Sequence, residues 1–175
     1  MEQTALVVPV PRVAALVDPW RSRHDPSAAL GVPAHITIVA PVLARIGRTE
    51  LEALEAIAAT TPPTSVELTT VGMFEDAEVL HLRPDTDAPF RALADAVRAR
   101  FPDAGGNMAP EDYVPHVTVG HRIPRPSARH AARALLLALP VRIPVHTLQL
   151  WVARDGEAIP AATFPLGAVE AVGAR

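Results

Sequence analysis

The sequence predicts an α+β fold made of two similar lobes, and three observations point there. The chain has 175 residues, of which 49% are hydrophobic and 20% charged, enough to bury a core in one domain or two small packed lobes. Short runs rich in branched residues alternate with segments of helical period. One tetrapeptide pattern occurs twice, as His35-Ile36-Thr37-Ile38 and His116-Val117-Thr118-Val119, and a repeat implies a repeated structural unit.

The elements follow in order. Thr4–Val10 reads as a first strand, and Val13–Val17 begins a helix or turn. Asp18 to Pro33 is polar and proline-broken, so an exposed loop or short helix is expected there. A strand starts at His35. Arg48–Thr60 is a helix, with Leu51, Leu54, Ile57 and Ala58 on one stripe and Thr49 and Glu52 spaced as a capping box. Ser65–Phe74 and Glu78–Arg83 form a hairpin. Asp87–Phe101 is a second helix, carrying Phe90, Leu93, Ala94, Val97 and Phe101 at helical spacing and Pro89 in its first turn. Asp103–Asp112 is a loop, Tyr113–Arg122 a strand, and Ser127–Leu139 a helix capped by Ser127. Val141–Arg154 gives one or two strands interrupted by Pro144, and Ala162–Leu166 adds an edge strand.

Composition narrows the function. Net charge is −3 and every basic residue is Arg, so the broad basic surface of a duplex DNA binder is not expected, while a local anion pocket of a few Arg remains open. The absence of Cys removes disulfides, thiolate nucleophiles and Cys-ligated zinc. Neither a basic-then-apolar leader nor a bilayer-length apolar run is present, so a soluble cytoplasmic protein without membrane attachment is the expectation.

The repeat carries the chemistry. On a strand, residues two apart share a face, so His35 and Thr37 look one way while Ile36 and Ile38 look the other. The same holds for His116 and Thr118 against Val117 and Val119. If the lobes pack about a pseudo-twofold axis, the two His–Thr faces confront each other across a groove. One imidazole then deprotonates an attacking hydroxyl while the other protonates the leaving oxygen. The two threonine hydroxyls can hold the non-bridging oxygens of a phosphate. No metal or cofactor is required by that scheme.

Further candidates surround it. Arg45 beyond the first repeat and Arg122 beyond the second could bind phosphate bidentately or be solvated surface groups. Tyr113 could donate to phosphate, stack on a base, or sit at the core edge. His81 opposes the apolar face of Leu80 and Leu82 and so can look into the groove. Trp151, on a late strand, is a packing residue or a groove wall. His121 falls opposite His116 and is expected to be structural or exposed, so a metal site pairing the two is disfavoured.

At the repeats the sequence resembles the two-histidine (2H) phosphoesterases, in particular the bacterial 2′-5′ RNA ligase and cyclic phosphodiesterase group. The likeness includes His24-Asp25-Pro26, Gly31-Val32-Pro33-Ala34-His35-Ile36-Thr37, Phe74, Val79-Leu80-His81-Leu82, Pro89-Phe90-Arg91-Ala92-Leu93, Phe101-Pro102 and Pro115-His116-Val117-Thr118-Val119. It implies one bilobal domain over residues 1–175, with two mostly antiparallel sheets and outer helices around a central groove. It also implies His35, Thr37, His116 and Thr118 as the catalytic set. The substrate implied is a nucleotide or RNA end bearing a 2′,3′-cyclic phosphate, with His35 protonating the 3′ oxygen and His116 activating water. Aromatic content of 4% leaves few stacking platforms, which favours a small nucleotide over long RNA. The competing expectation is a non-catalytic nucleotide- or RNA-end-binding module. Nothing in the residue pattern sets an oligomeric state.

Overall fold

The structure is a computed structural model that describes residues 3–43 and 45–167. Among the described residues, eight strands form one antiparallel sheet: β1 (Gln3–Pro9), β2 (His35–Val39), β3 (Thr64–Phe74), β4 (Val79–Pro84), β5 (Val117–His121), β6 (Val141–Val145), β7 (Thr147–Arg154) and β8 (Glu157–Pro165). The helices are α1 (Ala14–His24), α2 (Pro26–Ala29), α3 (Arg48–Thr60), α4 (Ala88–Arg100) and α5 (Arg125–Ala138).

The strand order β6-β3-β4-β5-β2-β1-β7-β8 divides into two halves of four strands that meet at β5 and β2. Reversing the order exchanges β5 with β2, β4 with β1, β3 with β7 and β6 with β8, which is the pseudo-twofold relation the repeat implies. The two expected sheets are therefore halves of one sheet. Their seam is narrow, with Ile36 and Val117 as its registered pair. The helix preceding each repeat crosses to the other half. Thus α1 packs on β5 and α5, while α4 packs on β2 and α3.

The apolar side of the repeats lies under these helices. Ile36, Ile38, Val117 and Val119 are buried together with Leu6, Leu82, Leu93 and Val97. Burial of such side chains contributes roughly 1.5–3 kcal/mol each. It also fixes the register, because a one-residue slip would turn every histidine inward.

Several local expectations change. The segment from Asp18 is helical through His24 and α2 follows at once, so of the loop or short helix expected over Asp18–Pro33 the helical reading prevails, and more of it is helix than expected. Pro19 interrupts the α1 ladder, but buried Val17 and Arg21 hold the helix in place. The α3 cap is Gly47, whose N–H donates to Glu50 at 2.9 Å, rather than Thr49. Glu52 instead accepts from Arg48. Helix α5 starts at Arg125 after Pro124, ahead of Ser127. Pro144 lies within β6 rather than breaking it, since β6 is an edge strand with a free donor side. The other edge, β8, runs longer than expected.

Candidate active site

The repeats alternate in burial as they do in sequence. His35, Thr37, His116 and Thr118 are half-buried, while Ile36, Ile38, Val117 and Val119 are buried. Ile36 stands opposite Val117. One step along that antiparallel ladder in each direction sets His35 against Thr118 and Thr37 against His116. Directly opposed residues hold their Cβ atoms about 4.5–5.5 Å apart, and diagonal ones roughly 7–8 Å. The two histidines occupy the diagonal. Four polar side chains from distant parts of the chain thus share one small face of the central strands.

Each ring is held by the same latch. His35 Nδ1 lies 2.8 Å from the Pro33 carbonyl and His116 Nδ1 lies 2.7 Å from the Val114 carbonyl, two residues upstream in both cases. A carbonyl oxygen only accepts, so both Nδ1 atoms carry the proton and both Nε2 atoms are left for chemistry. Burial lowers the pKa of each ring below the usual 6.5, and the hydrogen bond to the carbonyl opposes that shift in part. Neutral rings with free Nε2 atoms are poised as bases. An anion between them supplies the countercharge that lets one take a proton.

The latches have their own supports. Arg21 and Asp25 form a buried ion pair at 2.9 Å. Arg21 Nη2 also donates to the Val32 carbonyl at 3.0 Å, one residue before the carbonyl that orients His35. On the other half, the Tyr113 hydroxyl donates to the Thr37 carbonyl at 2.8 Å. That bond ties the approach to β5 onto β2 across the seam.

Tyr113 takes the core-edge position. Its ring is buried, its hydroxyl is committed to the backbone, and burial raises its pKa. Arg122 takes the solvated position. It stands beyond the far end of β5 with a side chain 85% exposed, paired loosely with Glu78 at 3.9 Å, because the strand carries it four residues past Thr118. His121 is exposed, as expected. Arg45, His35 and Trp151 line one cleft of about 1160 Å³, with Val7, Leu30 and Val32 among its apolar walls. Trp151 Nε1 donates to Gln149 Oε1 at 3.1 Å.

His81 shares the face of the repeats, since it stands opposite Thr118 across β4 and β5. It is nevertheless buried. Phe74 stacks on its ring at 3.9 Å, and the His116 ring meets it edge-on at 5.5 Å. Its Nδ1 is latched to the Val79 carbonyl at 3.1 Å, and burial pushes its pKa down to about 4. His81 is a neutral wall for His116. Gly72 makes room for it, because a Cβ there would sit 2.6 Å from His81 Nε2.

Sequence reading misses Arg21, Asp25 and Arg83. Arg83 continues the β4–β5 ladder one step beyond the Leu82–Val117 pair, which sets it opposite His116. The alternation His81-Leu82-Arg83 on β4 is the signal that could have found it. Among the described residues, no group of three or more His, Asp or Glu side chains is arranged to hold a metal ion. No described helix is long and apolar enough to cross a membrane.

A pseudo-twofold sheet that presents two His-x-Thr strands on one face defines a two-histidine phosphoesterase fold. The 2′-5′ RNA ligase superfamily model matches residues 9–157, and the chain belongs to that superfamily. No curated protein matches it by sequence. Among solved structures, Escherichia coli LigT complexed with NADP+ is similar at 17% identity and a TM-score of 0.60, covering 94% of this chain and 97% of that one. TT0787 of Thermus thermophilus is similar at 19% identity and a TM-score of 0.60, covering 97% and 100%. A further structure described only as a phosphoesterase gives 17% identity and a TM-score of 0.61, covering 95% and 99%. These likenesses establish the fold.

Proposed function

We propose that the protein hydrolyses, or reversibly forms, a cyclic or 2′-5′ phosphodiester of a nucleotide or RNA end by acid–base catalysis between His35 and His116. The observation that carries this reading is the paired Nδ1 latch, which leaves two Nε2 atoms free over one face with a threonine opposite each ring. Nucleotide-sized substrates gain support from E. coli LigT, which has been crystallised with 3′-AMP and with ATP.

In the hydrolytic direction, neutral His116 Nε2 removes a proton from water as its oxygen bonds to phosphorus. The bond from phosphorus to the 3′ oxygen breaks, and His35 Nε2–H protonates that oxygen to leave a 2′-phosphate. Thr37 and Thr118 donate to the non-bridging oxygens. Proton exchange with solvent then resets both rings. The nucleoside would rest in the cleft beside Val7 and Trp151, which Arg45 also lines. The reverse direction exchanges the two histidine roles.

The test is turnover of nucleoside 2′,3′-cyclic phosphates in EDTA. Each such acid or base contributes roughly 10²–10⁴ in rate. His35→Ala and His116→Ala are therefore expected to lose at least about 10²-fold each, with wild-type turnover unchanged by chelation. Loss of wild-type turnover in EDTA would overturn the acid–base scheme. Tight calorimetric binding with no product would assign the binding-module alternative instead.

A further inference from the structure

The pseudo-twofold relation is obeyed at the repeats and broken beside them. On β1, Val7 stands opposite Thr37 and Pro9 opposite His35. The matching positions on β4 are His81, opposite Thr118, and Arg83, on the same ladder opposite His116. One wing of the groove is therefore mostly apolar, continuing through Trp151, and its cleft also carries Arg45, Glu50 and Asp103. The other wing is cationic.

That cationic wing is more than one residue. Arg83 Nη2 and Arg91 Nη2 share a single carboxylate oxygen of Asp87, at 3.4 Å and 3.9 Å. Arg98 lies close by, with its guanidinium carbon 5.6 Å from the centre of the Tyr113 ring, against 5.9 Å for Arg91. Two guanidinium groups thus meet one carboxylate, and the third packs against the Tyr113 ring that Arg91 also approaches. Both Arg83 and Arg91 keep more than a third of their side chains accessible. Arg83 Nε and all three Arg98 side-chain nitrogens are buried without a hydrogen-bond partner among the described residues. The charge on Arg83 reaches both His116 and His81.

We propose that Arg83 and Arg91 form a second phosphate subsite, so that the preferred substrate carries another phosphate one linkage away from the phosphodiester undergoing reaction. This rests on the reading of the site as a phosphoesterase and adds the class of its substrate. A nucleobase and a 5′-phosphate leave the ribose from different carbons and diverge. With the base in the apolar cleft beside Trp151, the 5′-phosphate runs toward the arginine wing. Two accessible guanidinium groups sharing one carboxylate retain donors for a phosphate.

The experiment compares kcat/KM for a nucleoside 2′,3′-cyclic phosphate, its 5′-phosphorylated form, and a dinucleotide ending in the same cyclic phosphate. A charge-assisted contact of this kind is expected to favour the two phosphate-bearing substrates by about 10–100-fold. Preference for the 5′-phosphorylated monomer alone assigns the subsite to a terminal phosphate; preference for both assigns it to any 5′ phosphate. Arg83→Gln and Arg91→Gln should each pull that ratio toward one, whereas Arg122→Gln should leave it unchanged. A wild-type ratio near one, or a ratio indifferent to Arg83 and Arg91, overturns the subsite. Calorimetry with a nucleoside 2′-monophosphate and the 2′,5′-bisphosphate reads the same ratio without catalysis. Failure of every substrate to turn over would therefore count against the phosphoesterase reading, and an equal affinity for the two products against the subsite.

Discussion

Two halves of one sheet each supply one histidine and one threonine to the same face and then diverge within one strand. At β2 and β5 the match extends to detail: the same burial alternation, the same Nδ1 latch two residues back, and a threonine across from each imidazole. On the flanking strands the first half offers Val7 and Pro9, and the second His81 and Arg83. The proposed chemistry, one proton on and one off, would use the symmetric centre. The proposed substrate, with one apolar end and one anionic end, would use the asymmetric periphery.

The comparison can be sharpened at its symmetric part first. Thr37→Val and Thr118→Val each remove one proposed phosphate donor, a loss worth about 10²-fold or more in kcat where such donors have been deleted. Equal losses are expected, measured by kcat on a cyclic phosphate. A large effect at one threonine alone would show that the halves are not equivalent at the centre.

The pH profile comes next. Burial holds both imidazoles below the usual value of 6.5. The proposed scheme needs one ring neutral and the other protonated in the free protein, so kcat/KM is expected to peak between their two pKa values. The bell is thus centred on the acid side of 6.5. A peak well above 6.5 would contradict the assignment of burial as the dominant influence.

The smallest effect belongs to the seam. Tyr113→Phe keeps the buried ring and removes the hydroxyl that serves the Thr37 carbonyl. Leaving that acceptor short costs about 1–3 kcal/mol, read as a lower midpoint in urea unfolding. No change in midpoint would mean that the bond does not bind the halves together.

Much of this is legible in the sequence because strand alternation is a short-range rule. The period of two in His35–Ile38 and His116–Val119 carries the face and the burial of each residue. The apolar stripes of α3 and α4 mark those helices nearly to the residue. What the sequence hides depends on three-dimensional neighbours. Pro19 leaves loop and short helix both open for the second half of α1, since nothing local reveals that buried Arg21 and Val17 hold the helix. Tyr113 and Arg122 both border the second repeat, yet one turns inward to the backbone and the other is carried past the groove. Arg83 matters only once β4 is known to lie beside β5.

Both imidazoles should keep Nδ1 protonated and aim Nε2 at one anion, and nitrogen NMR of the histidine rings reads this directly. The expected result is the Nδ1–H tautomer for His35 and His116 near neutral pH, with both Nε2 signals moving together as a nucleoside 2′-monophosphate is added. An Nε2–H tautomer at either ring, or a response from only one of them, would contradict it.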